Sequence, residues 1–232
     1  MTAIKLYDLA GADPARRFSP FCWRTKLAIL HKELEFDAVP WRFTEREALA
    51  FSGQGRVPVI VDAEETVFDS WAIAQYLETR YPERPSLFGG ATGMATTRFV
   101  NAWADKVLHP ALAALVLIDI YAHIRVQDQD YFRTSREKVF GKTIEQVSEG
   151  REAKLPAFRQ ILEPVRTVLQ SQSYLAGARP AYADYIVFGA FQWARCISSF
   201  KLLDAADPVA VWRASMLEAF GGIAGAALGY PV

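Results

Sequence analysis

All of the strand-like sequence in this chain lies before residue 70, and everything beyond residue 93 reads as helix. A chain so divided cannot build one large sheet; it must set a small sheet beside a helical body. Ile4 to Leu9 alternates apolar and polar positions as a short strand does, and Glu35 to Val39 repeats the pattern. Val57 to Val61 is almost continuously apolar and β-branched, as a buried strand should be, yet Pro58 has no N–H to give a ladder. After a turn at Asp62–Glu65, Thr66 to Phe68 returns as a strand. Between the first two strands Ser19 suits a helix N-cap and Pro20 the first helical position, and Ser70 suits the cap of a helix from Trp71 to about Arg80.

With a short irregular helix over 44–51, the order is βαβαββα, the thioredoxin-like α/β order. The run Tyr81-Pro-Glu-Arg-Pro-Ser-Leu-Phe-Gly-Gly, with two prolines and two glycines, reads as a linker. The expected division is therefore a thioredoxin-like domain over 1–82, a linker over 83–92 and an all-helical domain over 93–232. In the second part an apolar stripe runs from Thr97 to Val126 with an expected kink at Pro110. Thr134 with Glu137 fits a capping box, 155–170 reads as a helix bent at Pro164, 184–200 as a buried central helix, and 208–220 as the last helix before a loose tail.

Lys plus Arg equals Asp plus Glu at 26 each, so no global field recruits nucleic acid or an anionic membrane. No apolar run reaches the roughly 18 residues of a spanning helix, and Met1 leads into a strand pattern instead of a signal peptide, which gives a soluble, cytoplasmic expectation. Cys22 and Cys196 stand far apart, and His31, His109 and His123 fall at no metal-like spacing, so neither a disulfide framework nor a metal site is expected.

Ser19 carries the local chemistry. A hydroxyl at the positive end of a helix, beside unpaired backbone donors, favours an anion. The same residue also reads as a plain cap. Cys22 sits at the second position of a Cys-x-x-Cys whose first cysteine is replaced by Ser19, so dithiol exchange is unavailable, and Cys22 reads as a packing residue or as the weaker seat of a reductase reaction.

Ser19-Pro20-Phe21-Cys22, Val57-Pro58, Asp69-Ser70 and the helical segment with Ala183-Asp184-Tyr185, taken in this order, resemble the cytosolic glutathione transferase family. Ile4-Lys-Leu-Tyr-Asp-Leu, Trp23-Arg-Thr-Lys26, Arg56-Val-Pro-Val-Ile-Val-Asp62 and Asp69-Ser-Trp71 look most like its bacterial serine-type β-etherase branch, whose members cleave β-aryl ethers of lignin-derived compounds. The resemblance implies that Ser19 holds the glutathione thiolate, and that Val57, with Pro58 cis, offers its backbone to the cysteinyl part. It also implies that Asp69 and Ser70 receive the γ-glutamyl end, and Arg56 or Arg42, unless they are plain surface charges, the glycyl carboxylate. Lowering a thiol from about 8.5 by two units takes about 2.7 kcal/mol. A helix terminus supplies about 0.3 to 1 and a charged hydrogen bond about 1.5 to 3, so the Ser19 hydroxyl is needed beside the dipole.

The second substrate is expected in an apolar cleft between Ser19 and the helices, with Trp103 and Tyr121 as candidate walls and core packing as their alternative. Asp184 matches the family's buried-helix motif, with Ala181 where a capping Ser or Thr is usual, and reads as structural. The resemblance further implies a homodimer, a detoxifying role and glutathione as co-substrate without a metal. A glutathione- and ligand-binding protein without turnover would need the same tripeptide site.

Overall fold

The computed structural model describes residues 3–231. Strands β1 (Ile4–Leu9), β2 (Phe36–Trp41), β3 (Val59–Asp62) and β4 (Glu65–Phe68) form one sheet in the order 2-1-3-4. β1 runs parallel to β2, while β3 is antiparallel to both β1 and β4. Helix α1 (Pro20–His31) joins the parallel pair, a 3-10 helix (Arg46–Ser52) occupies the irregular stretch, and α2 (Ser70–Arg80) follows β4, which completes the thioredoxin-like arrangement. β2 continues through Pro40 because it is an edge strand, where a missing N–H faces no neighbour. β3 begins only at Val59, one residue later than Pro58, because the proline cannot donate to the ladder with β1.

The rest is helical: α3 (Ala91–Trp103), a π turn (Ala104–Leu108), α4 (His109–Val116), a 3-10 stretch (Leu117–His123), α5 (Val126–Phe140), α6 (Ile144–Ser148), α7 (Arg151–Gln160), α8 (Glu163–Leu169), α9 (Tyr182–Ile197) and α10 (Pro208–Ala226). The kink expected at Pro110 takes the form of the π turn. A proline within a helix crowds the carbonyl four residues back, here Lys106, and the wider winding over Ala104–Leu108 accommodates it. The capping box expected at Thr134 is not one, since Thr134 lies inside α5; the box forms at Thr143 with Gln146, opening α6. The helix expected over 155–170 is two, α7 and α8, broken at Ile161–Leu162 ahead of Pro164. The last helix departs from helical geometry at Ala219–Gly222, close to its expected end.

α9 is buried along nearly its whole length and lies directly on α1. A Cβ on Gly189 would come within 2.5 Å of the Pro20 carbonyl oxygen, so only glycine allows the two backbones to approach this closely. At the start of α9 the buried Asp184 ties the preceding loop to the helix; it does not replace a capping hydroxyl, which would accept an N–H of the first turn. Its carboxylate accepts the N–H of Ala181 (3.1 Å), Leu175 (2.7 Å) and Ala176 (3.1 Å) and the indole N–H of Trp212 (2.9 Å). Burial pushes the Asp184 carboxyl up, and these four donors pull against it.

Candidate active site

The strand register brings the four candidate segments to one end of the sheet. Leu9, at the end of β1, lies opposite Trp41, which precedes Arg42. Tyr7 lies opposite Val59, the residue after Pro58, and Val59 lies opposite Phe68, the residue before Asp69. The loop leaving β1 delivers Ser19 to the same end, at the start of α1.

Ser19 is the N-cap of α1: its Oγ accepts the Cys22 N–H at 3.2 Å, which leaves the hydroxyl hydrogen to donate. Cys22 is fully buried beneath it, and burial, with the neighbouring Asp8, pushes its thiol well above the ordinary range, as suits a packing residue. Asp8 in turn is held by Lys26 and Arg17. The Trp23 indole donates to the Arg17 carbonyl (2.8 Å), which fixes the loop on the helix it precedes.

The Val57–Pro58 peptide is cis, and the Val57 N–H and C=O make no backbone hydrogen bond among the described residues. Asp69, and not Ser70 as the sequence suggests, caps α2, from φ 70° in the region that favours glycine, and Ser70 is the first helical residue. One of its oxygens, Oδ1, accepts the N–H of both Trp71 (2.9 Å) and Ala72 (3.0 Å), which leaves Oδ2 free of protein partners among the described residues. Ser70 is buried, and its carbonyl is fixed by the Tyr182 hydroxyl of α9 at 2.6 Å. The helical domain therefore clamps both helix starts, through Gly189 at α1 and Tyr182 at α2.

The two candidate arginines differ. Arg42 is occupied within the protein: its Nε donates to the Gly11 carbonyl (2.9 Å), and its guanidinium shares the Glu45 carboxylate with Arg125, the residue before α5 (2.7 Å from Arg125 to Glu45). Arg56 is exposed and has no ion pair among the described residues. Beside it stands Arg136 of α5, whose guanidinium lies 5.2 Å from the ring centre of Phe132 and 5.7 Å from that of Phe43, with no carboxylate partner. Burial, and then the nearness of Arg56, lower the affinity of Arg136 for its proton. Arg46 stacks on Tyr131 of the same helix at 5.1 Å. Arg56, next to the cis-proline peptide in sequence, and Arg136 thus stand together without acidic partners among the described residues.

A second cluster was not anticipated. Arg24, fully buried one turn into α1, donates to Asn101 Oδ1 (2.9 Å) and to Asp105 Oδ1 (2.8 Å), and lies 4.7 Å from the Phe21 ring centre. Its second terminal nitrogen also approaches His109 Nε2 at 3.3 Å; a guanidinium only donates, so Nε2 is the acceptor and His109 is neutral. Asn101, Asp105 and His109 recur every four residues across the π turn, a spacing visible in the sequence whose partner is not. Tyr121 packs against Phe132 (6.0 Å) and under Arg133 (5.0 Å), at the end of an aromatic chain that runs through Phe43 to Phe18 beside Ser19. Trp103 closes α3, half-buried against the core.

A small mixed sheet whose strand ends gather a capping serine, a cis-proline and an Asp-Ser helix start, backed by helices, defines a thioredoxin-like protein with a helical second domain. The family model for the N-terminal domain of glutathione S-transferases matches residues 18–80, and the model for their C-terminal domain matches residues 95–207. The chain belongs to the glutathione S-transferase family. Glutathione S-transferase 4 of Zea mays is 25% identical over 90% of this chain and 86% of its own. Maleylacetoacetate isomerase of Pseudomonas aeruginosa is 33% identical over 41% of this chain and 49% of its own. Among solved structures, a glutathione S-transferase of Ceriporiopsis subvermispora in complex with glutathione superposes with a TM-score of 0.80 at 23% identity, covering 94% of this chain and 96% of that one. A glutathione transferase of Phanerochaete chrysosporium reaches 0.79 at 24% identity, covering 93% and 96%.

Proposed function

We propose that this protein is a serine-type glutathione transferase, and the observation that carries the proposal is Ser19 as the N-cap of α1 with its hydroxyl hydrogen free. The glutathione sulfur lies against that hydroxyl and the first turn of α1, where a charged hydrogen bond and the helix terminus together supply the roughly 2.7 kcal/mol that a two-unit drop of the thiol pKa requires. Val57 pairs with the cysteinyl backbone as an added strand, Asp69 Oδ2 takes the γ-glutamyl ammonium, and Ser70 takes the α-carboxylate at the start of α2. Arg56 with Arg136 faces the glycyl carboxylate, and Arg42 is left to its structural bonds.

The thiolate attacks an electrophilic carbon of an aromatic substrate. A carbon–sulfur bond forms while the carbon–oxygen bond of a β-aryl ether, or a carbon–halogen bond, breaks with its electron pair on the leaving group, and an aryloxide then takes a proton from water. The aromatic run from Phe18 through Phe43 and Phe132 to Tyr121 supports an aromatic acceptor. Exposed Phe51 and Phe68 on the first domain and Phe99 on α3 support the dimer, which a sedimentation mass near 25.9 kDa would contradict.

Ser19→Ala tests the mechanism. With a chlorinated dinitroarene and with a β-aryl ether, kcat/KM is expected to fall about 10- to 100-fold at neutral pH, with its pH profile displaced upward, as loss of a 1.5 to 3 kcal/mol hydrogen bond requires. Unchanged turnover overturns the role of Ser19, and glutathione binding without turnover in the parent protein assigns the chain to a carrier role instead.

A further inference from the structure

The aromatic run that starts beside Ser19 leads to a cation. Phe18, the residue before Ser19, has its ring centre 6.3 Å from that of Phe43, and the Arg136 guanidinium lies 5.7 Å from the Phe43 ring centre and 5.2 Å from that of Phe132. Two steps of ring-to-ring size thus separate the Ser19 corner from a positive charge on α5. Arg136 is half-buried and has no carboxylate on it among the described residues; its polar contact is a long one, 3.4 Å from a terminal nitrogen to Ser135 Oγ.

Carboxylates on the same segments are committed elsewhere, Glu45 and Asp128 each to Arg125 at 2.7 Å and Glu137 to Arg133 at 2.9 Å. A guanidinium closed in by rings, with Arg56 as its charged neighbour, is short of counter-charge, and an incoming anion is favoured there. The charges at this corner do not balance with glutathione alone. Arg56 and Arg136 bring one positive charge each, and the glycyl carboxylate brings one negative charge. Arg56 is exposed and water screens it, so the uncompensated charge is felt at Arg136, on the side of the aromatic run.

We propose that the acceptor substrate is an arene carrying a carboxylate, which Arg136 receives while the sulfur held by Ser19 attacks carbon at the other end of the molecule. The inference rests on the serine-type transferase reading and names its substrate class. For an aryl ether the thiolate, whose proton has gone to solvent, forms the carbon–sulfur bond as the carbon–oxygen bond breaks with its electron pair on the aryloxide, which then takes a proton from water. The carboxylate takes no part in the bond changes. It is fixed by a fork of donors that matches its two oxygens, which makes Arg136 a specificity-determining residue and not a catalytic one.

A pair of phenacyl ethers that differ only in this charge, 2-(4-carboxyphenoxy)acetophenone and 2-(4-carbamoylphenoxy)acetophenone, tests it with glutathione as co-substrate. In the parent protein kcat/KM should favour the carboxylate about 10- to 100-fold, the span of a charged hydrogen bond, although the carbamoyl ether has the better leaving group. Arg136→Met should remove that preference, and Arg136→Lys should recover part of it. Whatever Arg136→Met costs in glutathione binding falls on both ethers alike and cancels in their ratio. Arg56→Met should raise the KM for glutathione with both ethers and keep the preference. A parent protein that cleaves neither ether overturns the proposed function and this inference with it. Cleavage of the carbamoyl ether without preference for the carboxylate, a preference that survives Arg136→Met, or one lost in Arg56→Met instead overturns this inference alone.

Discussion

Gly189 governs the Ser19 corner without touching Ser19 itself. Its missing Cβ lets α9 press on Pro20, and Pro20 is the residue after Ser19. Gly189→Ala therefore forces either α9 back or the first turn of α1 forward, at a cost of about 1 to 3 kcal/mol for an overpacked site. Chemical denaturation should record that loss, and glutathione turnover should fall with it while the affinity for glutathione changes little, because the contacts proposed for Asp69 and Ser70 lie at the other helix start. Full stability in the variant would show that the contact relaxes freely. Residues of this kind mark the limit of what the sequence discloses. Ser19, Pro58 and Asp69 are legible because their chemistry is local, a cap, an X-Pro peptide and a helix start, each declared by two or three neighbours. Gly189 reads only as a glycine in an apolar helix, since what it approaches lies 169 positions away. Arg42 shows the reverse: a basic residue in the right loop, whose commitment to the Gly11 carbonyl depends on how that loop folds back.

At the scale of elements, the unbroken path from α3 through the π turn to α4 adds a polar tie to α1 beside the packing of α9 on it. Arg24 is enclosed by Asn101, Asp105 and His109, all on one face of that path. Asp105 is 31% exposed while Arg24 is 0% exposed, so Asp105→Ala leaves a buried charge without its partner. The expected loss is about 3 kcal/mol, the low end for a broken buried pair because solvent screens the Asp105 side, and Asp105→Asn should retain part of it. Thermal or denaturant unfolding of the two variants measures this, and equal stability of Asp105→Ala and the parent would remove the pair from the account. The existence of most elements was readable from periodicity, but their joints were not. The winding change at Pro110, the division of 155–170, and the move of a capping box from Thr134 to Thr143 are each decided by which competing local signal the tertiary packing accepts.

Across the whole molecule the three histidines stand where the two domains meet. His109 accepts from Arg24 of α1, His31 bonds the Ser86 carbonyl of the linker (2.9 Å) and Tyr185 of α9 (2.7 Å), and His123 meets Tyr230 at 3.2 Å while its carbonyl accepts the Ala12 N–H of the β1–α1 loop at 2.7 Å. Burial lowers all three below the ordinary histidine value, and Arg24 adds to the effect at His109, which lies well below it. A histidine held neutral in the folded protein takes up a proton more readily when unfolded, so the unfolded state binds more protons between the depressed value and about 6.5. The histidine contribution is therefore fully present above about pH 6.5 and declines as the pH falls below it, by at most about 1.4 kcal/mol per pH unit for each group. His109 accounts for most of the decline, because solvent screens the other two more. Denaturant unfolding measured between pH 7.5 and 5 should show this slope, with the paired carboxylates Asp128 and Asp207 adding theirs only near and below their own ordinary range, about pH 4. His109→Gln, which keeps an acceptor for Arg24 but cannot titrate, should flatten the slope between pH 6.5 and 5 without abolishing it. A pH-independent parent, or a His109→Gln variant as steep as the parent, would mean that the domain junction opens to solvent before His109 is protonated.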